Sequence, residues 1–290
     1  MNKITTSTLN ASARLVDLSI SKFSGGGQDR KATSEVERKH SISEGQGGRF
    51  VKALIRPDYL KAVGQAGSRI RENFYSFTLP WKGESRILPI AQYQRFTEAH
   101  NKLVDQFNCL ADELVSKYDE IKSEAEVRLN GLFDASEYPS SGHEFRSKFG
   151  VEFTAESFPR ESDLNDPQLQ ARAEQAISAR LADAHRALLE RVSEVVAHFG
   201  RTLANPKAIF RDSTITAIAE AIDEAEALNF TANGEIATAL SDARKTLASF
   251  NDPQLLRDSK AGRRDAVVAS QSVLNTLQSL QTSLGSSASA

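Results

Sequence analysis

The chain has 290 residues, of which 40% are hydrophobic and 26% are charged, and its formal net charge is −2. This composition supports one or two globular domains with a packed core, and the absence of any run of 18 apolar residues excludes a predicted membrane-spanning helix. The N-terminal segment lacks the long apolar stretch of a secretory signal, and the single cysteine, Cys109, excludes an internal disulfide. We therefore expect a protein of a reducing, cytoplasmic compartment.

The charge is distributed unevenly along the chain. Residues 1–86 contain 15 Lys and Arg against 8 Asp and Glu, whereas residues 87–290 contain 21 against 30. A basic head on an acidic body is typical of a protein whose head binds a nucleic acid or an acidic protein. Mutual attraction between the two parts of the chain is the other explanation of the same pattern.

The first part of the chain predicts a small α/β head. Residues 15–23 alternate between apolar and polar, which is typical of a half-buried strand, and residues 49–55 form a candidate second strand. We expect these two strands to pair in an antiparallel ribbon. Residues 24–48, which include two glycine clusters, form the long loop between these strands, and within it the mostly polar residues 28–44 predict a mobile loop or a weak, exposed helix.

A helix is predicted to begin at Pro57, and the segment after it predicts a corner anchored by a buried Trp81. From Pro89, which suits a first helical turn, apolar residues recur every three or four positions as far as Leu132. That spacing predicts one long amphipathic helix. His100 lies on its apolar face, and we expect it to be a core histidine rather than a ligand or a proton switch.

A second long amphipathic helix is predicted from Pro167, with Asp166 as its N-cap, to Phe199. Two long helices joined by one linker favour an antiparallel, coiled-coil-like hairpin, although periodicity does not decide whether helices pair within one chain or between chains. We predict a mainly α fold with the following parts: a basic head at residues 1–88, the long helical hairpin at 89–204 with its linker at 134–165, a C-terminal bundle of shorter helices at 205–284, and a disordered tail at 285–290.

Several short motifs follow one another along the chain. They are Gly48-Arg49-Phe50, Leu79-Pro80-Trp81, Arg86-Ile87-Leu88-Pro89, Leu132-Phe133 before Tyr138-Pro139, and Ile209-Phe210-Arg211-Asp212. Together with the first strand and the Gly-rich loop, this order resembles a family of uncharacterised phage- and plasmid-borne helical proteins, classed only as a domain of unknown function. Members are often encoded beside a MoxR/CobS-like AAA+ ATPase and a CobT-like protein. The resemblance implies a mobile-element protein that partners such an ATPase, and it implies no catalytic residues.

No catalytic motif is found in the sequence. Neither the P-loop spacing nor G-x-S-x-G occurs, and one cysteine does not supply a Cys/His zinc cluster. The Gly-rich stretches 25–31 and 45–49 have the composition to hold a phosphate through free backbone N–H groups, but such stretches are more often flexible loops. We expect no cofactor, no metal site and no enzymatic activity.

The candidate binding surface lies in the basic head. Its cations are Arg30, Lys31, Arg38, Lys39, Arg49, Lys52 and Arg56. Phe50 is a candidate platform for base stacking. The signal is weakened by four interspersed acids, Asp29, Glu35, Glu37 and Glu44. The leading hypothesis is a non-enzymatic helical adaptor or scaffold for a protein partner, and the alternative is a nucleic-acid-binding accessory protein that uses the head.

Overall fold

The computed structural model describes residues 6–159, 165–205 and 211–287. It is 71% helical and contains a small antiparallel sheet, which confirms the mainly α class. The helices are α1 (Thr6–Ser12), α2 (Arg30–Lys39), α3 (Pro57–Phe77), α4 (Tyr93–Ser116), α5 (Tyr118–Leu129), α6 (Gly142–Arg146), α7 (Pro167–Ala204), α8 (Ser213–Leu228), α9 (Gly234–Leu247), α10 (Pro253–Asp258) and α11 (Lys260–Ser287). The strands are β1 (Ala13–Ser21), β2 (Gly26–Gln28), β3 (Val51–Ala53), β4 (Leu79–Lys82), β5 (Ser85–Pro89) and β6 (Gly150–Glu156).

The strands form one sheet in the order β4-β5-β1-β6 and a separate ribbon of β2 and β3. The predicted pairing of residues 15–23 with residues 49–55 is wrong, because β1 pairs with β5 and β3 pairs with β2. Sequence reasoning missed β5 because Pro89 suits the start of a helix. Pro89 instead lies opposite Ala13 at the end of the β1–β5 ladder, where a proline is tolerated in a strand. The helix predicted from this proline begins at Tyr93, after a short 3-10 turn.

Contacts divide the chain into two compact units, each assembled from separate segments. Unit 1 comprises Met1–Asp17, Phe74–Thr97 and Thr154–Ala290, and unit 2 comprises Leu18–Asn73 and Glu98–Phe153. None of these boundaries coincides with the predicted ones at 88/89 and 204/205. Composition and charge along the chain do not indicate which distant segments return to the same core.

Helix α7 is the central element of unit 1. It begins as predicted, with Pro167 in the first turn and the Asp166 carboxylate accepting the Gln168 N–H at 2.7 Å. From Ile177 onward its apolar face, which includes Leu188 and Phe199, is buried and packs along α11 and against α8, whereas Leu169 near its start is exposed. Trp81 packs on this core, where its ring meets that of Phe158 edge-on at 5.1 Å.

The C-terminal region, for which the sequence predicts a bundle of shorter helices, contains α8, α9, α10 and α11. Helix α11 has 28 residues and supplies most of the surface that covers α7. It continues through Gly285 to Ser287, into the segment predicted to be a disordered tail, and residues 288–290 of that prediction lie outside the described residues. Many small and polar residues in α11 dilute its apolar pattern, so the sequence underestimated its length.

Unit 2 has its own core around α4 and α5. Their buried residues, which include Phe107 and Tyr118, pack on α3 and on the aromatic side chains of the α6 region. The Tyr118 ring stacks on Phe145 at 4.4 Å, and its hydroxyl donates to the Pro139 carbonyl at 2.7 Å. The predicted single helix is interrupted at Lys117, between α4 and α5. His100 is 5% exposed, as expected of a core histidine, and burial lowers its pKa.

The predicted hairpin of two long helices is not confirmed. The apolar face of α7 is buried in the core of unit 1, whereas that of α4 and α5 is buried in the core of unit 2. Periodicity shows which face of a helix is buried, but it does not show what covers that face. The covering partners, α11 and α3, also have amphipathic patterns, so the sequence allowed more than one pairing.

Candidate nucleic-acid interface

The predicted basic residues lie in unit 2, around helix α2. The Asp29 carboxylate caps this helix by accepting the Ala32 N–H at 2.9 Å, as an N-cap aspartate does. The Thr33 hydroxyl donates to the Asp29 carbonyl at 2.7 Å, and the Asp29 N–H donates to the Phe50 carbonyl at 3.0 Å. Of the two predictions for residues 28–44, a mobile loop or a weak, exposed helix, the helix is present as α2. Its start is fixed by Asp29, which follows β2 and is hydrogen-bonded to Phe50, the residue before β3.

The Gly-rich loop after α2 is bound by the protein's own carboxylate. Glu37 is 5% exposed, and its Oε1 accepts the N–H groups of Gly45 at 2.8 Å and Gly47 at 3.2 Å. A Cβ atom at position 47 would lie 2.8 Å from Glu37 Cγ, so this close approach requires glycine. Three of the backbone donors that the sequence offered for a phosphate at residues 45–49 are thus already occupied, since the Gln46 N–H also donates to the Ser43 carbonyl, at 3.0 Å. The other stretch, residues 25–31, forms β2 and the start of α2.

Lys52 is buried and does not belong to the surface on which the sequence placed it. Its ammonium lies 3.1 Å from Asp29 Oδ2 and 2.7 Å from Glu137 Oε2, and it donates to the Leu132 carbonyl at 2.6 Å. Burial acts to lower the pKa of Lys52, but the hydrogen bonds and charges of Glu137 and Asp29 outweigh it and raise that pKa. The Ala32 N–H and the Lys52 ammonium in turn lower the pKa of Asp29.

Arg56 is exposed, but its charge is matched within the molecule. Its guanidinium lies 2.6 Å from Asp58 Oδ2 and 3.2 Å from Glu124 Oε1, and these two carboxylates raise its pKa in that order. The Tyr59 hydroxyl also donates to Glu124, at 2.7 Å. Arg56 and Lys52 are therefore removed from the predicted binding set.

The five remaining cations form what we name the basic surface: Arg30, Lys31, Arg38, Lys39 and Arg49. All five side chains are exposed, and none has a carboxylate partner within 4.0 Å in the part of the chain that the structure describes. Because successive residues of an α-helix are about 100° apart around its axis, Arg30, Lys31 and Arg38 lie on one side of α2, within an arc of roughly 100°.

The acids that weakened the sequence signal are not equivalent in the structure. Asp29 is 8% exposed and Glu37 is 5% exposed, and each is turned inward to bind backbone N–H groups. Only Glu35 and Glu44 of the four are exposed beside the basic surface. An aspartate directly before a helical run is a recognisable N-cap signal, so the role of Asp29 was predictable, whereas that of Glu37 depends on the fold of the loop.

Phe50 lies at the first turn of α2 and is 40% exposed. Its N–H donates to the Thr33 hydroxyl at 3.0 Å, and its carbonyl accepts from Asp29. Arg49 precedes it in the chain. The structure thus places the backbone of an exposed aromatic residue beside the first turn of α2, where the basic surface begins.

Sequence reasoning missed an open groove of about 750 Å³ between the β2–β3 ribbon and the start of α3. Its apolar lining includes Val51, Pro57 and Leu60, and its charged lining residues are Lys22, Lys52, Asp58 and Lys61. Val51 is 64% exposed, a large value for a strand valine. These residues are spread over some 40 positions and share no local pattern, so only the fold brings them together.

Comparisons with protein-family models, with curated proteins and with solved structures give no match for this chain. The resemblance to the phage- and plasmid-borne family therefore stays a prediction. No group of three or more His, Cys, Asp or Glu side chains is placed to hold a metal ion within residues 6–159, 165–205 and 211–287. In the same residues, no helix combines the length and the apolarity needed to cross a membrane.

Proposed function

We propose that this protein is a nucleic-acid-binding accessory protein that contacts phosphates through its basic surface. The observation that supports the proposal is the inward orientation of Asp29 and Glu37. Within residues 28–49 it leaves five exposed cations against two exposed acids, Glu35 and Glu44. A third exposed acid, Asp134, lies near Lys31: hydrogen bonds from Ser136 lower the pKa of Asp134 most, and the charges of Lys52 and Lys31 lower it further. Lysine and arginine side chains of this kind bind nucleic acid by displacing condensed counterions from phosphates.

The dimensions of α2 agree with this proposal. A helix of 10 residues is about 15 Å long, and phosphates of one strand follow one another at about 3.4 Å along a B-form axis. The exposed side of α2 thus extends along about four phosphates, a number similar to that of its cations. Such contacts set the orientation of the nucleic acid but do not distinguish its sequence.

Fluorescence anisotropy of a labelled 20-nucleotide DNA strand at about 50 mM salt tests the proposal, because phosphate contacts are strong at low salt. The test variant replaces all five cations of the basic surface by glutamine. A control variant has the same change of net charge at five exposed cations of unit 1: Arg95, Arg172, Arg201, Lys260 and Arg264. We expect the test variant to lose binding and the control variant to retain it. Equal losses in the two variants, or no binding by the wild type, contradict the proposal.

The groove supports a second candidate function, that of a non-enzymatic adaptor or scaffold. Its apolar lining around Val51 suits an apolar side chain of a partner, and Lys22 and Lys61 suit acidic residues beside it. We propose a protein partner that carries both. The family resemblance adds a phage or other mobile element as the setting and a MoxR/CobS-like AAA+ ATPase as the candidate partner.

Two matched substitutions in unit 2 test the adaptor function. Val51→Asp places a charge in the groove, whereas Val127→Asp places one at a valine that is 82% exposed and does not line the groove. Co-purification with the candidate ATPase should be lost with Val51→Asp and retained with Val127→Asp. If both variants co-purify as the wild type does, the groove is not the docking site.

A further inference from the structure

We infer that the basic surface selects single-stranded over double-stranded nucleic acid, with Phe50 as the platform on which one base stacks. This inference rests on the proposed nucleic-acid function and adds a ligand class to it. It depends on the position of one exposed ring relative to the cations of α2.

Phe50 is held in place by its backbone. Its N–H donates to Thr33 and its carbonyl accepts from Asp29, both at 3.0 Å. Arg30 and Lys31 lie between Asp29 and Thr33 in the chain, so the backbone of Phe50 is held beside the turn of α2 that carries the first two cations. Because the backbone is already ordered, stacking a base on this ring orders little more of the protein than its side chain.

The ring distinguishes between the two forms of nucleic acid. In a duplex, each base is paired and stacked on its neighbours, so its face is not available to a side chain on the protein surface. In a single strand, an unstacked base is free to stack on an aromatic ring, and this contact tolerates any sequence because every base has a π face. The cations of the basic surface bind phosphates of either form. A 40% exposed aromatic ring next to exposed cations therefore adds affinity for the single strand alone.

The experiment compares the full chain with three variants on three labelled probes. The probes are a 15-nucleotide oligo(dT), the same strand paired with oligo(dA), and a 15-nucleotide oligo(U). Phe50→Leu removes the π face but keeps an apolar side chain, and Phe50→Trp keeps a stacking ring. Tyr93→Leu is the matched control, because Tyr93 is 43% exposed and lies in unit 1.

We expect the wild type to bind oligo(dT) more tightly than the duplex. Phe50→Leu should weaken oligo(dT) binding about tenfold, within the range for loss of one base stack, and should leave duplex binding unchanged. Phe50→Trp and Tyr93→Leu should bind as the wild type does. A similar loss on oligo(U) identifies single-stranded nucleic acid in general as the ligand, and a loss on oligo(dT) alone identifies single-stranded DNA.

Two results overturn the inference. One is equal or tighter binding of the duplex by the wild type, and the other is unchanged oligo(dT) binding by Phe50→Leu. If either occurs while the five-glutamine variant still loses binding, only the single-strand preference fails and the nucleic-acid function stands. If the wild type binds none of the probes, both fail together.

Discussion

Replacement of Lys52 by methionine is expected to destabilise unit 2 by about 3 kcal/mol. The lysine side chain is 4% exposed and contacts two carboxylates and one carbonyl. Methionine preserves its unbranched shape but leaves Asp29 and Glu137 close together without a cation. Removing one partner of a buried ion pair typically costs about 3–5 kcal/mol. We take the lower end of that range because the Glu137 side chain is 26% exposed and retains some contact with water.

Hydrogen exchange of residues 26–53 measures this loss directly, because it reports the opening of this region, whereas a global unfolding transition reports on the whole chain. Arg49→Met is the control, and its exposed position predicts a change within about 0.5 kcal/mol. Combining Lys52→Met with Asp29→Asn should recover part of the loss, since it removes one of the two unpaired charges. Equal exchange rates in the Lys52 and Arg49 variants would refute the assignment of Lys52 as a buried structural cation.

The same cluster predicts a dependence on pH. The Ala32 N–H and the Lys52 ammonium lower the pKa of Asp29 from its usual 3.8. These two interactions therefore stabilise the folded state above that value and are lost as pH falls through the lower, folded pKa of Asp29. The loss caused by Lys52→Met should shrink in acid, where protonated Asp29 no longer needs a cation.

Two further predictions concern unit 1. Burial lowers the pKa of His185 from 6.5 to about 4, so the free energy of unfolding should fall by about 3 kcal/mol as pH falls between these values. In urea titrations at several pH values, His185→Gln should make this free energy less dependent on pH. The same pH dependence in the variant and the wild type would contradict the role of His185. Leu188→Ala should cost about 3 kcal/mol because Leu188 is fully buried. Leu169→Ala, at a residue that is 46% exposed, should leave the free energy of unfolding nearly unchanged in the same titrations. Similar urea midpoints for the Leu188 and Leu169 variants would show that the buried face of α7 is wrongly assigned.

Local chemistry made some elements predictable. Asp166 and Pro167 predicted the start of α7 because a capping carboxylate and a fixed φ act within a few residues. The alternation around Val16 predicted β1 for the same reason, and the buried faces of the long helices followed from their periodicity.

Other features depended on contacts between distant residues, and the sequence did not contain them in any local pattern. Pro89 suits both the first turn of a helix and the end of a strand, and its pairing with β1 decides between them. The position of Lys52 within a basic segment indicated a surface residue. In the structure Lys52 is buried, and it forms an ion pair with Glu137, which is 85 positions away. The composition of the binding surface is known only after these internal pairs are identified.

The dependence of single-strand affinity on salt tests the central claim most directly. With five phosphate contacts and about 0.7 counterions released per contact, the logarithm of the affinity should fall with a slope of about 3.5 against the logarithm of salt concentration, or about 100-fold between 50 and 200 mM. Replacing Arg30 and Lys31 by glutamine should reduce that slope by about 1.4. A slope that is unchanged in this variant would show that the exposed cations of α2 do not contact the nucleic acid.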